Sequence, residues 1–195
     1  MSFLIIITLI GGIFAGSFVP EEISSFVNSS SSVLLMILIF SVGIDIGLNK
    51  QVFEQIKKMG LKILLIPFAV ALGSLAGGAL LSVFLSEDLK ECLAISSGLG
   101  WYSLSGILMT EAGNPIGGTI SFIANVAREI LTFIVVPFIA KHINYYCAIA
   151  PAGATAMDTT LAVISRNTNG KIAVIAFTSG VTLTAIIPVL IPLFL

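Results

Sequence analysis

The chain has 195 residues, of which 57% are hydrophobic and 10% charged, and its mean hydropathy is +1.11. A soluble domain carries about 25% charge and about 45–50% apolar residues, and a globule of this size still exposes roughly 30% of its unfolded surface. These limits exclude a soluble enzyme domain, a disordered chain and a collagen; a net charge of −1 with 9 basic residues also excludes nucleic acid as a partner. What remains is an all-α, polytopic integral membrane protein whose surroundings are the lipid bilayer.

A bilayer-spanning helix needs about 20 mostly apolar residues. Taken in order, membrane segments are expected at 3–19, 30–48, 62–84, 92–110, 117–140, 145–165 and 172–194, about seven in all and in one domain. The first lacks a basic leader and a small-residue cleavage site and is followed by Glu21 and Glu22, so it reads as a retained helix. The connector at 21–31 is acidic, then serine-rich. The next, at 49–61, carries Lys50, Glu54, Lys57 and Lys58, with Lys62 at the following helix edge. Residues 50–62 suit either a plain connector or a short amphipathic surface helix with Val52, Phe53, Ile56 and Leu61 toward lipid. The stretch 87–91 is acidic, 111–115 is a tight turn, 141–144 is brief with His142 facing solvent, and 166–171 contains an Asn-Gly turn signal.

Basic loops face the cytoplasm. Loops 49–62 and 166–171 then lie inside and the acidic loops outside, which places the N-terminus inside and the C-terminus outside. The same alternation puts Lys141 outside, against the rule, and a re-entrant segment would change the count of crossings. Cys92 and Cys147 show no metal-binding or redox spacing and read as buried small residues.

Four places interrupt the apolar pattern. Ser41–Gly47 brings Asp45 between two glycines near a segment end, where it is either a cation or proton contact or an interfacial carboxylate. The stretch 96–106 contains Gly98, Gly100, Trp101, Tyr102, Ser103, Ser105 and Gly106. It is too polar for a plain lipid-facing span, and its hydroxyls can satisfy backbone groups freed by a helix break. The aromatic pair reads as a wall for a cationic or aliphatic substrate, or as an interfacial belt. The third interruption is Asn125, Arg128 and Glu129, with Asn125 on a face shared with both charges. Arg128 needs an acceptor because arginine keeps its charge; Glu111, Asp158 and Asp45 are the candidates. The fourth runs from Pro151 through Gly153 to Thr160. A helix restarting near Gly153 would carry Thr155, Asp158 and Thr159 on one face, a carboxylate between two hydroxyls inside the bilayer.

Discontinuous helices are therefore expected near 98–106 and 151–160, with a faint two-unit symmetry, since each follows an intact span. Glu111 closes the first of them, as a gating or relay group or as an ordinary edge carboxylate. No nucleotide-binding glycine pattern, catalytic triad or metal-ligand cluster is visible, so no catalytic residue, metal site or cofactor is expected. Transport is the function class that uses scattered intramembrane charges and broken helices.

The stretches GLGWYSLSGILMTE (98–111), NVARE (125–129) and GATAMD (153–158), in this order and spacing, resemble the signature elements of the lysine exporter LysO family of bacterial inner-membrane proteins. The resemblance runs across most of the chain. It implies export of L-lysine, and of lysine analogues, out of the cytoplasm, coupled to a proton or a sodium ion. It carries Asp158 over as the transport carboxylate, Trp101, Tyr102, Ser103, Ser105 and Glu111 as the aromatic motif, and Asn125, Arg128 and Glu129 as the polar helix element. Departures exist. Some relatives have an acid where Val126 stands, and some have an amide in place of Asp45, which weakens a general coupling role there. A full-length member is similar to this chain only over its C-terminal two thirds. A short membrane protein supplying the preceding segments, or a homo-oligomer, is then the expected partner.

Together these readings give one expected mechanism. Asp158, helped by Thr155 and Thr159, meets a lysine ammonium. Arg128 holds the α-carboxylate bidentately, and Trp101 or Tyr102 lines the aliphatic stem. The two broken segments rearrange between inward and outward access, and an incoming proton or sodium ion loads Asp158 or Glu111. The competing readings are a non-transporting membrane subunit that stabilises a partner chain, and a transporter of another small cation or amino acid.

Overall fold

The computed structural model describes residues 18–48, 50–85 and 87–195, with isolated positions at 7, 11, 14 and 15; the side chains at 21, 22, 24–29, 31, 32, 45, 51–53, 56 and 59 lie outside the description. Most of the expected segment 3–19 and the side chain of Asp45 are thus outside it. Every regular element among the described residues is helical. The chain divides into two compact units, Met1–Ser41 and Val42–Leu195.

The first unit contains most of helix α1 (Glu21–Leu48). The expected connector at 21–31 is instead the beginning of this helix. Pro20 followed by two glutamates is a good helix start, since acids in the first turn suit the positive end of the helix dipole. The serines that suggested a loop are only mildly unfavourable within a helix.

The second unit takes in the end of α1 and continues with α2 (Lys50–Met59), the helix alternative for that stretch. Gly60, with φ of 74°, ends it, and a short 3₁₀ turn (Leu61–Leu64) leads into α3 (Leu65–Leu85). Then follow α4 (Leu89–Ser96), α5 (Tyr102–Glu111) and α6 (Pro115–His142). The chain continues through 3₁₀ turns at Cys147–Ile149 and Gly153–Met157 to α7 (Leu161–Asn167), α8 (Gly170–Leu190) and a last 3₁₀ turn, Ile191–Phe194. Side-chain caps set the boundaries. Asp88 accepts from the Glu91 N–H at 3.2 Å, Asn114 from Gly117 at 2.8 Å and Asn169 from Ile172 at 3.1 Å, each taking a donor that the helix leaves unpaired.

Three described helices are long and apolar enough to cross a membrane: Leu61–Leu85, Pro115–His142 and Gly170–Phe194. The chain is therefore a multi-pass, all-α membrane protein. In the third, 56% of the most apolar window is buried, against 28% and 22% in the other two, so α8 is the packing centre of this unit. Apolar side chains on the outer faces, such as Leu72, Phe84 and Ile134, carry no cost next to lipid tails.

The stretches 92–110 and 145–165, expected as full crossings, are built differently. Each is broken, and each begins and ends at the same end of the unit. Asn114 at the start of α6 donates to Glu91 in the first turn of α4 at 3.0 Å, so α4 and α5 form a hairpin. Asn144, Tyr145 and Tyr146 share a 600 Å³ cavity with Asn169, Lys171 and Ile172, so 144–167 returns to where it began. The two hairpins sit at opposite ends of α6. His142 lies in the last turn of that helix rather than in a loop, with its ring 4.5 Å from that of Phe138. A hydrophobic cluster of Ile63, Val136, Ala140, Ile149, Ile164, Ile172 and Ile175 packs the base of the second hairpin against α3, α6 and α8.

Candidate functional site

The hairpin tips meet. The N–H of Ala154 donates to the carbonyl of Leu99 at 2.8 Å. This approach depends on two glycines. Gly100 and Gly153 have φ of 101° and 59°, a region costly for other residues. A Cβ on Gly100 would stand 3.1 Å from the Ala152 carbonyl, and one on Gly153 would collide with the Leu99 carbonyl. Leu99 itself has φ of 48° and is fully buried.

Asn125 on α6 supports the first tip. Its Oδ1 accepts from the Gly100 N–H at 2.7 Å, and its Nδ2 donates to the Ser121 carbonyl at 2.8 Å and approaches the Ser105 hydroxyl at 3.4 Å. Asn125 is 4% exposed, so it supplies the acceptor that an opened backbone needs where water is scarce. Ser105 is accordingly part of this buried support and not of the cavity wall. Gly106 lies within α5 rather than at the break, and its lack of a side chain lets the Gly118 carbonyl of α6 approach. The first break falls at 97–101, and Gly98 lies within it.

The second break is longer than expected. No α-helix restarts at Gly153; the chain makes a 3₁₀ turn to Met157, and α7 begins only at Leu161. Thr155, Asp158 and Thr159 therefore do not share a helical face. The Thr155 hydroxyl donates to the Ala152 carbonyl at 2.7 Å and is paired with that of Thr160 at 3.1 Å. The Asp158 carboxylate instead accepts from the backbone N–H and the hydroxyl of Thr159. Thr160 was not singled out from sequence, although hydroxyls flanking an unwound turn are a readable sign of local capping.

A cavity of 270 Å³ lies at the crossing, lined by Gly100, Trp101, Tyr102, Ser103, Thr155, Asp158 and Thr159, with Ala154, Met157, Val181 and Thr184 and with Val42 and Ile46 from the end of α1. It is slightly smaller than the ligand pockets of about 300–1,000 Å³ typical of small molecules. Among the described residues of its wall one side chain is acidic, Asp158; the others are apolar, aromatic or hydroxylic. The first turn of α5 contributes Tyr102 and Ser103, and such turns carry N–H groups without intrahelical acceptors and the positive end of the helix dipole. The Tyr102 ring packs edge-on against Phe122 at 5.4 Å, which fixes its orientation. The lining residues Val181 and Thr184 escaped sequence reasoning because they sit in an unremarkable apolar run, whereas Val42, Ile46 and Met157 lie within the interrupted stretches but carry no charge or hydroxyl that marks them.

Other candidates fall elsewhere. Glu111 is the exposed last residue of α5, remote in sequence from the tip. Glu129 is 2% exposed on α6. The acceptors described for Arg128 are not the carboxylates of Glu111 or Asp158, and the side chain of Asp45 lies outside the described residues. The Arg128 guanidinium donates to the Pro151 and Ala150 carbonyls at 2.9 and 3.2 Å and to the Ser74 hydroxyl at 3.2 Å. Pro151 thus acts through its carbonyl as well as by interrupting the helix.

Two broken hairpins whose unwound tips line a cavity among membrane-length helices form the architecture of a membrane transport protein. Within that class, residues 6–195 match the family model described as lysine exporter LysO, and the chain belongs to this family, one of exporters rather than enzymes. It is 36% identical over 171 residues to a Haemophilus influenzae (strain Rd) protein named as a candidate lysine exporter, covering 87% of this chain and 86% of that one. It is 33% identical over 167 residues to the lysine exporter LysO of Escherichia coli K12, covering 86% of this chain but only 55% of that relative. No solved structure matches it.

Proposed function

We propose that this chain exports L-lysine across the bacterial cytoplasmic membrane by alternating access, coupled to a proton or a sodium ion, and that it acts as a single transport domain. The observation that carries the reading is Asp158 in the wall of a cavity at the meeting point of two broken segments. A carboxylate in that position suits a cationic substrate. Asp158 and Thr159 meet an ammonium group, Trp101 and Tyr102 with Met157 and Val181 flank the aliphatic stem, and Ser103 in the first turn of α5 stands where the α-carboxylate is best accommodated. Asp158, with Glu129 on the helix behind the crossing, is the candidate group for the coupling ion. Thr155, Asn125, Ser105, Gly98, Gly100, Pro151 and Gly153 keep the crossing in shape. Glu111 and Asp45 remain candidate relay groups at the ends of their segments.

In the bilayer we place α4–α5 and 144–167 as re-entrant hairpins entering from opposite faces. This lowers the count of crossings from seven to five and keeps the N-terminus inside and the C-terminus outside. It also brings Lys141 to the cytoplasmic side with Arg166, Lys171 and the 50–62 lysines, in accord with the positive-inside rule. A short membrane protein contributing further segments, or a second copy of the chain, is the proposed partner.

The deciding experiment is lysine counterflow in proteoliposomes, with and without a partner chain and under imposed proton or sodium gradients. Uptake of labelled lysine against internal lysine supports the reading. A protein that inserts normally and carries no lysine in any arm overturns it in favour of a stabilising subunit or another substrate.

A further inference from the structure

Arg128 sits within α6, where an arginine remains charged and needs acceptors. Each of its three nitrogens has one: Nε donates to the Pro151 carbonyl at 2.9 Å, Nη2 to the Ala150 carbonyl at 3.2 Å and Nη1 to the Ser74 hydroxyl at 3.2 Å. Ser74, on α3, passes its own hydrogen to the Ser96 carbonyl at 2.9 Å. A hydroxyl has one hydrogen and two lone pairs, so Ser74 is a directional relay from Arg128 to the end of α4. Four elements are joined: α6, α3, the last turn of α4 and the unwound chain that follows Cys147–Ile149.

The acceptors have something in common. Ser96 is the last residue of α4, and Ala150 follows the 3₁₀ turn directly. Carbonyls at such ends lack helical donors and carry the negative end of the dipole. Arg128 therefore satisfies both broken segments at once, one directly and one through Ser74. Its Cζ lies close behind Gly153, 3.3 Å from where a Cβ would be. It is absent from the lining of the Asp158 cavity.

We propose that Arg128 is a positioning residue: with Ser74 it holds the two hairpin tips in register from outside the cavity, and it makes no contact with the transported substrate. The tips then move as one body, and access changes by motion of the surrounding helices. This replaces the expectation that Arg128 grips the substrate α-carboxylate. Its kinetic test rests on the export reading above.

The test uses Arg128→Lys, which keeps the charge but loses the planar fork, and the milder Ser74→Ala, in the full chain with Cys92 and Cys147 replaced by serine. Lysine counterflow is measured with 1,5-diaminopentane, which is lysine without its α-carboxylate, as competitor. The expected result is a fall in maximal rate of about tenfold for both variants, the size of one lost charge-assisted hydrogen bond, with KM and the competitor-to-lysine ratio unchanged. A raised KM for lysine in Arg128→Lys, with competition by the diamine intact and Ser74→Ala behaving as wild type, overturns the proposal and puts the guanidinium on the substrate.

A second readout does not depend on transport. A Thr159→Cys reporter at the cavity is modified with a small maleimide. Both variants are expected to change its modification rate by about fivefold or more, since a displaced tip alters access. Equal rates in wild type and both variants overturn the clamp. If the wild type carries no lysine, the export reading fails while this measurement still decides the role of Arg128.

Discussion

The backbone N–H of Ala154 and the carbonyl of Leu99 are joined at 2.8 Å, and this bond ties the tip of one hairpin to the tip of the other. Each partner is a backbone group left over where a helix stops, in a region with little water to satisfy it. The crossing therefore answers the polarity of two breaks with each other and places Asp158 beside the resulting cavity.

Gly153→Ala tests that bond most directly. The left-handed backbone at this position costs an alanine about 1–2 kcal/mol, and the added Cβ meets the Leu99 carbonyl. The expected outcome is loss of about 2 kcal/mol or more of stability in detergent together with loss of efflux, read by thermal unfolding and counterflow. Gly170→Ala, at a position with open space around it, is expected to stay within about 0.5 kcal/mol of wild type.

Asn125→Ala removes the acceptor of the Gly100 N–H at 2.7 Å and leaves a buried donor unsatisfied. The cost is about 1–3 kcal/mol, measured by thermal unfolding of the purified protein. A variant as stable as wild type would show that the Gly100 N–H finds another acceptor and that Asn125 does not support the first tip.

Asp158→Asn keeps the volume and removes the charge from the cavity wall. A hydrogen bond to a charged group contributes about 1.5–3 kcal/mol, so the apparent affinity for lysine is expected to fall about 10- to 150-fold. Counterflow over a range of lysine concentrations measures it. Unchanged efflux at normal membrane insertion would remove the proposed site.

The hairpin arrangement makes a labelling prediction. With Cys92 and Cys147 replaced by serine, single cysteines at Lys90 and Ala112 are expected to react with an impermeant maleimide from the periplasmic side. Cysteines at Tyr145 and Lys171 should react only after the membrane is opened. Full crossings at 92–110 and 145–165 would instead place the members of each pair on opposite faces.

Many residues of the candidate site are conspicuous in the sequence. Asp158 inside an apolar run, glycines beside Trp101 and Tyr102, and Pro151 before Gly153 all violate what a plain lipid-facing helix requires, and such violations mark function. The position of Arg128 is equally conspicuous, but the sequence does not choose among its possible acceptors. The acceptors are carbonyls of Ala150 and Pro151 and the hydroxyl of Ser74. Backbone carbonyls become acceptors only where a helix has opened, and no residue type announces which ones will be reached. Thr155 likewise turned to Thr160 instead of Asp158 because a 3₁₀ turn rotates side chains differently from the α-helix assumed for that stretch.

Composition and the spacing of charges were enough to specify an all-α membrane protein, its apolar segments and the two places where those segments break, because transfer of polar and charged groups into lipid is penalised residue by residue. Whether a broken segment crosses or returns depends on contacts between residues distant in the chain. Glu91 with Asn114 closes one hairpin and Ala154 with Leu99 joins the tips. Hydropathy sums local transfer energies and is blind to such pairings, so the folded packing alone settled that the two breaks meet around one cavity.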